Sequence, residues 1–144
     1  MPVFTHNTLR IVMLNPSTAD GENDDPTIRK CVGFADRLGY DGIVVLNVFA
    51  LRATQPKDLV KAAADRVGEA NYRFFASELS AADVLVAWGG WGRHKLLIHC
   101  VDRARSEIKK AHPDKVFCLG MTETYMPRHP LMLPYSTETE EFRL

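Results

Sequence analysis

Residues Leu9 to Asp20 read LRIVMLNPSTAD. An apolar run without polar alternation passes directly into Asn15-Pro16-Ser17-Thr18. Continuous apolar runs are the signature of strands covered on both faces. Proline at 16 biases Asn15 away from the α region, so the chain leaves the run extended. The same transition recurs downstream. Ile43 to Phe49 (IVVLNVF) leads through Asn47 to Arg52 and Thr54; Val84 to Trp88 (VLVAW) leads into Gly89-Gly90-Trp91-Gly92-Arg93-His94; Lys115 to Leu119 (KVFCL) leads into Gly120-Met121-Thr122 and on to Pro127-Arg128-His129-Pro130.

Helix-patterned segments separate these runs. Asp25-Pro26 reads as a cap followed by proline at the first helical position. Ile28, Cys31, Val32, Ala35 and Leu38 then share one face, and Gly39 ends the helix. Gln55 to Asp58 opens a short helical turn. A further helix is expected from about Gly68 to Leu79, with Tyr72, Phe75, Ala76 and Leu79 inward. Another is expected from about Arg93 to Ala111, with Leu97, Val101, Ala104 and Ile108 inward. Lys109 and Lys110 there suit the negative end of the dipole, and Pro113 bars continuation. Strands alternating with helices give a parallel sheet, and right-handed crossovers put helices on both sides of it. The expected fold is a three-layer α/β/α sandwich around a four-stranded, mainly parallel sheet.

The 144 residues are 46% hydrophobic, 25% charged and 9% aromatic. They suit one domain over residues 1–144, with a core at about 9–133 and a less committed tail at 134–144. Collagen-like, low-complexity and wholly disordered readings fall away on this composition. Eighteen basic residues balance eighteen acidic ones, so no global field draws the chain to nucleic acid or an anionic surface. No apolar stretch is long enough to span a bilayer, and MPVFTHNTLR lacks the features of a secretory leader. The expectation is a cytoplasmic protein without a membrane partner. Cys31, Cys100 and Cys118 are far apart and lack metal-ligand spacing. The acidic run Asp20, Glu22, Asp24 and Asp25 lacks the EF-hand framework and reads as a solvated loop. No metal or other cofactor is assigned.

In open parallel sheets ligands collect beyond the carboxyl ends of the strands. All four polar, glycine- and proline-rich segments fall there, whereas the opposite connections, such as Gly39 to Gly42, are plain. Asn15 and Asn47 offer amides that donate and accept at once, suited to a base edge or an oriented water. A backbone turn at Asn15, Ser17 and Thr18 is the plainer alternative. Asn47 could equally satisfy a neighbouring loop. Gly89 permits close backbone approach, while Trp88 could stack on a base or close the core. Arg52, Arg93 and Arg128 could hold phosphate, and His129 could donate to a carbonyl or carry a proton. No GxSxG elbow supports a hydrolase triad.

The strings MLNPSTADGENDDPTIRKCVGFADRLGYDG, VLNVFALRAT, VAWGGWG and LGMTETYMPRHPLML together resemble the domain-of-unknown-function family 1643 over about residues 9 to 133. That family has no established reaction. The order of a strand ending in Asn-Pro, a glycine-bearing third strand end and a late His-Pro loop is also similar to the uracil-DNA glycosylase superfamily. The resemblance implies a four-stranded parallel sheet with helices on both faces. It implies that Asn15 and Pro16 stand in the water-positioning motif, and that His129 and Pro130 stand where charge on a departing base is stabilised. The match departs at Met13, Ser17 and Leu131, where the superfamily has glycine, glycine or tyrosine, and serine. With Asn15 in place of an aspartate the general base is missing, so hydrolysis would depend on oriented water and leaving-group stabilisation.

The expected function is binding of a nucleobase or nucleotide, with DNA-glycosylase-like hydrolysis of an N-glycosidic bond. Asn15 and His129 are the catalytic candidates. Pro16, Ser17, Thr18, Asn47, Arg52, Trp88, Gly89, Arg93 and Arg128 are the substrate-binding candidates. Two rivals stand beside it: a non-catalytic nucleotide or nucleic-acid binding module on the same pocket, and a small-molecule hydrolase unrelated to nucleotides.

Overall fold

The computed structural model describes residues 7–13, 26–48, 75–90 and 98–144. In chain order these form strand β1 (Thr8–Met13), helix α1 (Pro26–Arg37), β2 (Gly42–Asn47), β3 (Asp83–Val86), helix α2 (Ile98–Ala111), β4 (Lys115–Cys118) and β5 (Glu140–Glu141). Residues 75–79 are also helical. The fold is mixed α/β around a mostly parallel sheet.

The sheet has five strands, not four, in the order β2-β1-β3-β4-β5. β1 pairs in parallel with β2 from Thr8↔Gly42 to Met13↔Asn47, and with β3 from Leu9↔Asp83 to Val12↔Val86. β3 and β4 are parallel, and β5 runs antiparallel to β4 through Phe117↔Glu141 and Cys118↔Glu140. The fifth strand corrects the expectation of an uncommitted tail. Glu140 and Glu141 carry no apolar signal of their own, but the next residue, Phe142, is 5% exposed and anchors the segment. Its ring meets Trp88 edge-on at 5.7 Å, and its N–H donates to Val116 O at 3.0 Å.

Side chains alternate between two cores. Leu9, Ile11 and Met13 join Leu85, Phe117 and the α1 residues Cys31, Phe34 and Ala35 on one face. Val12, Leu46, Val84 and Val86 join Phe75, Leu79 and the α2 residues Val101, Ala104 and Ile108 on the other. The strand order explains this split. The chain steps from β1 to β2 in one direction and from β2 past β1 to β3 in the other, so right-handed crossovers deliver α1 and the later helices to opposite faces. The unalternated apolar runs are thus the consequence of burial on both sides.

α1 begins at Pro26, as the cap pattern expects, and ends in a Schellman motif. Gly39 takes φ +88°. Tyr40 N donates to Ala35 O at 2.9 Å and Gly39 N to Asp36 O at 3.1 Å, satisfying the orphan carbonyls. The inward face of α1 is rotated from the expected one. Phe34 is buried, whereas Val32 is 51% and Leu38 37% exposed. Phe34, the bulkiest apolar residue of the helix, takes the centre of the contact, and Leu38 lies past the last helical residue where the chain is already turning. The expected inward Ala76 is likewise exposed, between fully buried Phe75 and Leu79. Val101, Ala104 and Ile108 are buried as expected, and Ala111 joins them. Tyr72, Leu97, the turn at Gln55 to Asp58, Asp25 and the acidic run from Asp20 lie outside the described residues.

Candidate functional site

The order β2-β1-β3-β4 reverses at β1, so the β1/β3 gap is the topological switch point, the place where open α/β sheets hold their ligands. Pairing continues one residue past the strands there. Ala87 N donates to Val12 O at 2.8 Å and Val48 N to Met13 O at 2.7 Å. Asn47, in register with Met13, ends β2 at this edge and is half-buried. Beyond β3 the chain reaches Trp88, Gly89 and Gly90; beyond β4 it reaches Leu119 and Gly120.

Two glycines at this edge hold open backbone positions that the chain itself fills. Gly89 adopts φ +75°, and a Cβ there would stand 3.3 Å from the His129 Cβ. Its N–H donates to Pro127 O at 2.8 Å. Gly120 adopts φ +90°, and a Cβ there would stand 3.2 Å from Arg128 Cδ. Its carbonyl accepts Arg128 N–H at 3.0 Å. The close approach expected of Gly89 is therefore real, and the approaching group is the Pro127-to-Pro130 corner. This seats His129 against the end of β3 and Arg128 over the end of β4.

His129 is held in one tautomer. Leu131 N–H donates to His129 Nδ1 at 3.2 Å, so in the neutral ring the proton resides on Nε2. Burial lowers the His129 pKa from its ordinary value, because the charged imidazolium loses solvation. At neutral pH the ring is thus a neutral Nε2–H donor. No carboxylate among the described residues pairs with Arg128 or His129.

Trp88 takes the plainer of its two readings. It is 1% exposed, its indole N–H points to Met126 Sδ at 3.2 Å, and Phe142 covers its ring. The burial favours core closure over stacking on a ligand. The organiser that sequence reasoning passed over is Thr122, whose hydroxyl accepts Met126 N–H at 3.1 Å inside a hairpin closed by the Met121↔Pro127 bridge. The signal was weak, since the turn contains neither glycine nor asparagine. Cys31 and Cys118 are buried free thiols and Cys100 is a half-buried one. Burial pushes the Cys118 thiol up.

Asn47, Trp88, Gly89, Arg128 and His129 thus share the carboxyl edge. Asn15, Pro16, Ser17, Thr18, Arg52 and Arg93 lie outside the described residues. A separate open groove of about 860 Å³ lies along β4 and β5 and is lined by Lys109, Lys115, Glu141 and Arg143 among others. Lys115 starts β4 and Lys109 lies in the last turn of α2, which places this groove away from the carboxyl edge. No helix among the described residues is long and apolar enough to cross a membrane.

A family model described as "Protein of unknown function (DUF1643)" matches residues 4–131, most of the chain. No curated protein and no solved structure matches it.

Proposed function

The chain belongs to the DUF1643 family of proteins of unknown function, and from that premise we propose that its carboxyl-edge crevice binds a nucleobase and breaks the N-glycosidic bond that holds it. The observation that carries the reading is His129, its Nδ1 fixed by the Leu131 N–H and its side chain seated against Gly89 past the end of β3. As the C–N bond breaks, the base leaves with the bonding electron pair and negative charge gathers on its carbonyl oxygens. A preorganised neutral donor suits that charge, because its hydrogen bond strengthens as the charge develops. Water supplies the oxygen that replaces the base at the sugar carbon, and the proton it gives up ends on the departed base anion. Asn15 would orient that water, Asn47 would read the base edge, and Arg52, Arg93 and Arg128 would hold phosphate. The finer architecture we propose is the three-layer α/β/α sandwich of the uracil-DNA glycosylase superfamily. Cores on both faces of the sheet and the order β2-β1-β3-β4 support it.

Incubation with uracil- or hypoxanthine-containing single strands, followed by alkali, tests the reading. Strand breaks should appear, and His129→Ala should lower their rate roughly 100- to 1,000-fold, the usual effect of removing one such donor. Asn15→Ala should also abolish cleavage. The amide at position 15 in place of a carboxylate base favours one alternative, a binding module without chemistry. Binding that persists with no abasic product would establish that alternative.

A further inference from the structure

The hairpin that leads into Arg128 and His129 ends in an aromatic side chain held away from the protein. Met121 and Pro127 close it. Inside, Thr122 N donates to Met126 O at 2.8 Å and Tyr125 N to Thr122 O at 3.0 Å. The Thr122 hydroxyl accepts Met126 N–H at 3.1 Å and shares a hydrogen bond with Thr124 at 3.1 Å. This turn puts Tyr125 at φ +62°. The left-handed region is unusual for a bulky residue and costs about 1–2 kcal/mol. Glycine or asparagine would close the same turn with less strain. Tyr125 gains no burial in exchange, since it is 79% exposed. A strained, solvent-facing ring on a well-bonded hairpin fits a contact outside the chain better than a role in folding.

The surroundings narrow what that contact is. Arg128 and His129 follow directly after the hairpin, and Leu131 and Met132 are 37% and 88% exposed. Tyr125 lies four residues before His129, so their Cα atoms are at most about 14 Å apart. That span covers at most roughly four steps of a stacked nucleotide strand at about 3.4 Å each. Aromatic faces interleaved with arginine hold single strands by stacking, whatever the sequence. Zero net charge argues against gripping a duplex through its phosphates. A second copy of this chain is the weaker occupant. The exposed apolar side chains of this segment, Tyr125, Leu131 and Met132, are only three, with Arg128 between the first and the others, where a stable dimer needs about 800 Å² from each partner.

We infer that Tyr125 is a stacking platform for a nucleobase within about four nucleotides of the one held at His129, so that the substrate is single-stranded nucleic acid and not a free nucleotide. This rests on reading the crevice as a nucleobase site. The test compares a dye-labelled single strand of about eight deoxythymidines bearing one uracil, within the range of single-strand site sizes, with uridine monophosphate. The strand should bind more tightly than the mononucleotide. Tyr125→Asn, which tolerates the left-handed turn, should weaken strand binding roughly ten-fold and leave mononucleotide binding unchanged. Tyr125→Trp should restore strand binding, and unchanged tryptophan fluorescence in Tyr125→Asn would show the hairpin still docked on Trp88. Equal strand binding by Tyr125→Asn and wild type overturns the inference, as does a strand that binds no better than the mononucleotide. Self-association abolished by Tyr125→Asn overturns it in favour of a second copy. The mononucleotide arm stands separately: binding that His129→Ala abolishes supports the crevice reading even if the Tyr125 inference fails, and binding of neither probe sinks both.

Discussion

The two ends of the sheet are built from similar parts put to different uses. At the amino edge polar groups are spent on one another. The Tyr40 hydroxyl donates to Asp83 Oδ2 at 2.7 Å, Asn7 Nδ2 donates to Gly39 O at 3.1 Å, and Ala81 N donates to His112 O at 3.2 Å. Burial and the Asp83 carboxylate push the Tyr40 hydroxyl up, so it remains a protonated donor. At the carboxyl edge the backbone holds Arg128 and His129 in place, while their outer nitrogens meet no carboxylate among the described residues. The first end is closed in on itself, whereas at the second the backbone alone fixes these two side chains among the described residues.

Gly39 and Gly89 turn this contrast into a matched experiment. Both have positive φ, but a Cβ at Gly39 would meet nothing within 4 Å, whereas one at Gly89 would press on His129. Gly39→Ala should cost about 1 kcal/mol for the left-handed alanine, a fall of roughly 3 °C in Tm, with nucleobase binding intact. Gly89→Ala should cost about 2 kcal/mol and, by displacing His129, weaken binding at least ten-fold. Thermal unfolding alongside mononucleotide titration would measure both. Equal effects on binding would erase the distinction between the edges.

A smaller effect should appear with pH. The folded-state pKa of His129 is depressed, so between that value and the unfolded value near 6.5 the unfolded chain binds more protons. His129 therefore contributes stability that is fully present above pH 6.5 and lost as pH falls through its folded pKa. Protonation of Nδ1 would also set two N–H groups against each other, at His129 and Leu131. Urea unfolding at several pH values from 5 to 8, in wild type and His129→Gln, should show the acid loss reduced in the variant. An identical pH profile in both would mean that the ring is not held neutral.

How far the residues alone foretold this arrangement varies with the kind of signal. Strands β1 to β4, the start of α1 at Pro26 and its end at Gly39 follow from local patterns that tertiary contacts reinforce. The shared edge for Asn47 and Gly89 follows from strand direction, since one ends β2 and the other lies just past β3; His129 lies well beyond the end of β4 and is returned to that edge by the hairpin that Met121 and Pro127 close. The rotation of α1 about Phe34 was not legible, because Val32 and Phe34 both fit an apolar stripe and only packing volume decides between them. β5 was invisible for a different reason. Two glutamates pair with β4 only because Phe142, next in sequence, finds Trp88 across the sheet. Trp88 was legible as important, but its role depended on that same distant partner.

The amino edge supplies the finest probe of the comparison. Ala81 and His112 adopt φ 54° and 55° and are joined by the hydrogen bond between them, just before β3 and just after α2. Glycine at position 81 would relieve the left-handed strain but widen the unfolded ensemble, and the two terms nearly offset. A net gain on the order of 0.5 kcal/mol is expected for Ala81→Gly, read as a small rise in urea midpoint at constant slope. The same exchange of strain for freedom at Tyr125, through Tyr125→Gly, should also raise stability slightly yet reduce single-strand binding. If strain at both edges proved equally free of functional consequence, the left-handed tyrosine would be an accident of its turn, and the His129 corner alone would set the carboxyl edge apart.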